Sequence, residues 1–120
     1  MSEKRRVEYD LEDRTLQFAK AVRTFVKKTP STLSNAEDCK QLIRASGSVG
    51  ANYIEANESL GKKDFAMRIK ISRKESKESC FWLKLIDAGR HPELENERKI
   101  LIQEASELMK IFGSILQKCK

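Results

Sequence analysis

Residues 62–89, KKDFAMRIKISRKESKESCFWLKLIDAG, present three different faces when wound as an α-helix, and that restricts what the rest of the chain can be. At about 100° per residue, Phe65, Ile69, Ser72, Ser76, Cys80 and Leu83 fall on one side, a core stripe with small residues in its middle. Met67, Ile71, Trp82 and Leu85 fall roughly opposite, too far round to join that core. Lys62, Lys63, Lys70, Arg73, Lys74, Lys77 and Lys84 share a sector that no acidic residue enters, because Asp64, Glu75 and Glu78 project elsewhere. One helix thus offers a core, an apolar contact and a surface for anions. It is not an ordinary surface helix.

The other segments read as partners for its core face. With 39% hydrophobic and 35% charged residues, only two Pro and five Gly, long helices are favoured over a turn-rich sheet, and 120 residues suffice for one core. An all-α fold is the default, in a single domain over residues 10–120 behind a flexible basic arm over 1–9. A first helix is expected over about 10–28, with Leu11, Thr15, Phe18, Val22 and Phe25 at alternating spacings of four and three. Asp10, Glu12 and Asp13 suit its positive end and Lys27 and Lys28 its negative end. Pro30 stops it, and the short connection returns the chain antiparallel.

Ser34 and Glu37 have the spacing of a capping box, which starts helix two near Asn35 and runs it over about 35–58. Leu42, Ala45, Ser46, Val49, Tyr53 and Ala56 form its buried stripe. Gly47 and Gly50 sit inside that helix, each costing up to about 1 kcal/mol relative to Ala, and the expected compensation is close contact with Ser72, Ser76 and Ser79 of helix three. The flanking stripe keeps helical phase through Gly47-Ser48-Val49-Gly50, which argues against a phosphate-cradling loop; Gly61-Lys62-Lys63 lacks the first Gly and the Ser or Thr of a P-loop. Helix three is expected over about 62–88, ended by Gly89 with Arg90 and His91 in the turn. Helix four is expected over about 92–118, with Pro92 in its first turn followed by Glu93, Glu95 and Glu97. Its core stripe is Leu101, Ala105, Leu108, Phe112, Ile115 and Cys119. Ile102, Met109 and Leu116 widen it to one side, more than a monomer needs.

Function classes narrow by what is missing. His91 is the only histidine, and no Ser/His/Asp or Cys/His set can be assembled, so no catalytic residue is assigned. Neither metal nor cofactor is expected, since a di-metal bundle wants a Glu-x-x-His on two helices. Cys39, Cys80 and Cys119 lack C-x-x-C spacing and read as reduced core thiols. No apolar run approaches membrane-spanning length and the N-terminus has no signal-peptide pattern, which points to a cytoplasmic protein without a membrane partner. The net charge is +6, and residues 62–90 hold nine basic against four acidic residues, so the excess is local.

Residues 45–56, ASGSVGANYIEA, followed by Lys62-Lys63-Asp64-Phe65 and a Ser-rich amphipathic helix, resemble the bacterial four-helix-bundle family of proteins encoded in intervening sequences of 23S rRNA genes. That family is loosely labelled ribosomal and is similar to the accessory variability proteins of diversity-generating retroelements. Its pattern is close to small-x-S-[IV]-x-A-N-I-A-E-G, then K-[DE]-F. Ser48, Ala51, Asn52, Glu55 and Phe65 fit; Tyr53, Ile54 and Ala56 depart from it. The resemblance covers roughly residues 9–118 and implies an antiparallel up-down four-helix bundle that assembles into a ring-like homopentamer with basic surface available to nucleic acid. In the retroelement relatives the pentamer also contacts a reverse transcriptase.

Two functions follow as expectations. One is a non-enzymatic, homo-oligomeric accessory protein that binds RNA or DNA through Lys62, Lys63, Lys70, Arg73, Lys74, Lys77 and Lys84. The other is a protein-interaction scaffold, for example an accessory subunit of a reverse transcriptase, with no nucleic-acid contact. Either way the expected oligomer interface is Met67, Ile71, Trp82 and Leu85 with Ile102, Met109 and Leu116. Asn52 and Glu55 flank the core stripe of helix two, as polar contacts fixing helix register or as a partner site. Phe81 projects near the basic sector, placed either to stack on a base or to be covered at an interface.

Overall fold

Among the described residues four helices run between the breakers Pro30, Gly61 and Pro92. The computed structural model describes residues 3–119, with side chains for 10–119. α1 spans Glu3–Lys28, α2 Leu33–Asn57, α3 Lys62–Leu85 and α4 Pro92–Lys118. The backbone of α1 begins at Glu3 and not near Asp10, so Asp10, Glu12 and Asp13 lie inside the helix; Lys27 and Lys28 do occupy its last turn. The arm expected over 1–9 falls on residues whose side chains lie outside those described.

Each helix runs antiparallel to its sequence neighbour. Asn57 near the end of α2 reaches Glu12 of α1, Arg44 of α2 lies by Glu75 and Glu78 of α3, and Lys28 closing α1 pairs with Glu97 opening α4. α2 packs between α1 and α3, and α4 closes the square, most closely with α3 and least with α1. At about 1.5 Å per residue a helix of α4's length spans roughly 40 Å, close to the 46 Å long axis of the molecule. The helices therefore run most of its length.

The core is what the spacing dictates. Leu11, Thr15, Phe18, Val22 and Phe25 of α1 are buried, as are Leu42, Val49 and Tyr53 of α2, Ile69 and Leu83 of α3, and Leu101, Leu108 and Phe112 of α4. Tyr53 and Phe112 meet across the bundle with ring centroids 5.7 Å apart. The third expected core thiol is a correction: Cys39 is buried and Cys80 half-buried, but Cys119 is exposed just past α4.

Helix ends supply three more corrections. The cap of α2 is Thr32, whose hydroxyl accepts from the Asn35 N–H at 3.1 Å, so Ser34 lies in the first turn instead of capping it. Asn35, at the third helical position, turns its side chain inward. Its Nδ2 donates to the carbonyls of Pro30 (3.0 Å) and Asp87 (2.9 Å), and its Oδ1 accepts from the Asp87 N–H (3.0 Å). One buried amide thereby ties the α1–α2 connection to the α3–α4 connection. Second, α3 ends at Leu85 and not at 88, with Ile86 extended and buried. Arg98 of α4 donates to the Ile86 carbonyl and, at 3.4 Å, to that of Leu83, serving carbonyls the helix leaves free. Third, Gly89 lies beyond that end, where its φ of 71° turns the chain against Pro30.

The glycines of α2 also face otherwise than expected. A Cβ on Gly50 would stand 2.8 Å from Thr15 Oγ1 and 3.1 Å from Thr15 Cβ, both in α1, and a Cβ on Gly47 would approach Arg23. The α2–α3 approach rests on serines instead: Ser72 donates to the Val49 carbonyl at 2.9 Å, while Ser76 and Ser79 turn back to carbonyls of their own helix. The helical phase through 47–50 is continuous, so that segment forms no loop.

Candidate nucleic-acid interface

Because α3 packs on α2 along one flank and α4 along the other, the remaining arc of its surface faces outward. Lys62, Lys63, Lys70, Arg73, Lys74, Lys77 and Lys84 are all exposed on it. At about 1.5 Å rise per residue, Lys63 to Lys84 covers roughly 30 Å. Among the described residues none of the seven joins an ion pair. Arg73 leans toward α4, its Nε 3.7 Å from where a Cβ on Gly113 would stand.

Neighbouring helices explain why the charge stays unopposed. Asp64 sits in the first turn of α3, where it complements the helix dipole. Glu75 is buried against α2, its Oε1 3.8 Å from Arg44, and its Oε2 has no hydrogen-bond partner among the described residues. Glu78 is drawn to the same arginine, 4.0 Å away. Burial pushes the Glu75 carboxyl above its ordinary range, Glu78 adds to that, and Arg44 and Lys74 pull the other way. Cys80 lies at the α4 flank with its thiol 3.7 Å from the Ile102 carbonyl; burial raises its pKa against an opposing pull from Lys84, so it stays a protonated packing residue.

The expected oligomer residues divide between two places. Met67 and Leu85 are about half exposed, at 49% and 51%, on the outward arc of α3. Ile71 is half-buried beside them, and Trp82 packs against the core. On α4, Ile102 and Leu116 also pack half-buried against the core and Met109 is half-buried. Ile102 sits at the α3–α4 seam, so the widened stripe of α4 is covered in large part within one chain. Asn52 donates to the Ser48 carbonyl and hydroxyl, both at 2.9 Å, and accepts from Arg68 of α3 at 3.1 Å, bridging two helices. Glu55 is exposed one turn further on. His91 is exposed at the start of α4, and its side chain makes no cap.

Other features were not singled out from the sequence. A groove of about 690 Å³ lies along the loosest seam, between α1 and α4, floored by Phe18 and Leu101 and rimmed by Ile100 and Asp13. Arg14 spans it to Glu104 with two bonds of 2.8 and 2.7 Å. That pair is separated by most of the chain, so no local spacing announces it. Among the described residues no group of His, Cys, Asp and Glu could hold a metal ion, and no helix is long and apolar enough to cross a membrane.

Comparison with known proteins agrees with this architecture. The family model described as 23S rRNA-intervening sequence protein matches residues 8–114. Among solved structures, the chain is similar to a protein of unknown function from the S23 ribosomal protein family of Bacteroides thetaiotaomicron. The two are 26% identical with a TM-score of 0.73, over 92% of this chain and 97% of that one. No curated protein matches the chain.

Proposed function

The chain belongs to the 23S rRNA-intervening sequence protein family, and from that premise we propose that it is a non-enzymatic accessory protein that binds RNA or DNA through the outward face of α3. One observation carries the reading: seven exposed cations along one helix with no ion pair among the described residues. A strip of that length follows a phosphate backbone, and it holds no Asn, Gln and Arg set of the kind that reads base edges, so binding is largely sequence-independent. The protein acts in the cytoplasm as a homo-oligomer, a ring-like pentamer in keeping with the resemblance to retroelement accessory proteins.

Fluorescence anisotropy with labelled RNA and DNA across a salt series tests this. Affinity should fall with salt by about 0.7 to 0.9 in slope for each phosphate neutralised. Lys70→Glu, Lys74→Glu and Lys77→Glu combined should abolish binding at moderate salt while helicity and assembled mass are kept. Wild type that binds neither nucleic acid at about 50 mM salt, where such contacts are strongest, would overturn the proposal. The scaffold reading would then stand, with a protein such as a reverse transcriptase as partner; it is favoured by the exposure of Met67 and Leu85 on the same arc.

A further inference from the structure

We infer that the lysine face of α3 takes single-stranded nucleic acid, with one unpaired base stacked on the ring of Phe81. This rests on the nucleic-acid reading above and adds to it the class of ligand and the residue that selects it. Phe81 is 55% exposed, whereas the other aromatic residues of α3, Phe65 and Trp82, are half-buried against the core. A phenyl ring left in water forgoes the gain of burying its area, and the described residues leave more than half of this one uncovered. Its exposed position is nevertheless braced. The ring meets Trp82 edge to face, with centroids 5.1 Å apart and planes at 78°, and Trp82 is itself held by the core.

The charges around Phe81 suit a nucleotide. Lys77 and Lys84 stand about one helical turn before and after it on the same side. The acidic residue within a turn of Phe81, Glu78, is drawn away toward Arg44 of α2. A base lying on the ring would have an ammonium group on either side along the strand, where its flanking phosphates run. Duplex bases hide their faces inside the stack and have nothing to offer such a ring, while unpaired bases stack on aromatic side chains in sequence-tolerant fashion.

The test is anisotropy with labelled oligouridylate and oligodeoxythymidylate against a duplex of equal length, using the full chain, with light scattering on each variant. Wild type should prefer the single strands. Phe81→Ala should weaken single-strand binding by about ten-fold, with salt slope, duplex affinity and assembled mass unchanged, and Phe81→Trp should restore it. Equal loss on duplex and single strand, or no loss on either, would overturn this inference while leaving the nucleic-acid reading in place. A fall in assembled mass with unchanged affinity would assign Phe81 to a contact between copies instead. Wild type that binds neither ligand would overturn both.

Discussion

Glu75 is a carboxyl placed where its charge is unwelcome. It is 4% exposed in the α2–α3 seam, one oxygen lacks a partner among the described residues, and Arg44 is 3.8 Å away, too long for a hydrogen bond to the other. Burial raises its pKa first and the Glu78 carboxyl second, so the fold prefers the protonated form. The sign of the linkage follows: its contribution to stability is fully present below the unfolded value, near 4.5, and is lost as pH rises through the raised folded value. Glu75→Gln keeps the shape and removes the ionisation. Thermal melts should therefore find the variant more stable than wild type at pH 7, by roughly 1 kcal/mol, the scale of one buried unsatisfied group, with the advantage shrinking toward pH 4. A variant less stable at pH 7 would mean that the Arg44 attraction outweighs burial.

Helix approach separates the two glycines of α2. At Gly50 an added Cβ would stand 2.8 Å from Thr15 Oγ1, in a β-branched side chain held by bonds to the Leu11 and Glu12 carbonyls, so α1 has to give. At Gly47 the nearest atom is the tip of Arg23 at 3.5 Å, an ordinary contact. Denaturant unfolding should find Gly50→Ala destabilised by about 1 to 2 kcal/mol, overpacking exceeding the propensity gain. Gly47→Ala should be stabilised by up to about 1 kcal/mol. Equal effects at both positions would remove the α1–α2 contact as the reason for Gly50. Periodicity places both glycines inside a helix but not against the right neighbour, because phase gives a direction around one axis and not the identity of the helix standing there. The same limit hid the bonds of Asn35 to Asp87 and of Arg98 to the Leu83 and Ile86 carbonyls, whereas Thr32 caps α2 in place of Ser34 because its hydroxyl is the one that meets the Asn35 N–H. The lysine strip was legible because exposure on one helix is a matter of phase alone; the removal of Glu78 toward Arg44 needed α2 in place.

At the scale of the molecule, the arrangement allows assembly and nucleic-acid binding to use different edges of α3. By helical phase Met67 and Leu85 share the side of Glu78, which reaches toward Arg44 of α2, whereas Arg73, beside Gly113, and Lys84, beside Cys80, lie toward α4. A second copy covering the α2 edge would leave the α4 edge of the lysine strip open, and repetition of that contact around a ring would set several strips on one particle. Trp82, Ile102 and Leu116 already pack against the core of a single chain, so changing them would confuse folding with assembly. Met67→Glu with Leu85→Lys is the cleaner variant, since both residues are about half exposed. Light scattering on wild type should give several times the 13.8 kDa chain mass, with five the multiple favoured by the family resemblance. The double variant should give smaller species with unchanged helicity, and its affinity for each separate strand of nucleic acid should fall less than for one long enough to reach several strips, because only the latter draws on linked binding. A wild type that is monomeric at micromolar concentration would end the assembly argument and leave Met67 and Leu85 as exposed residues with a different partner.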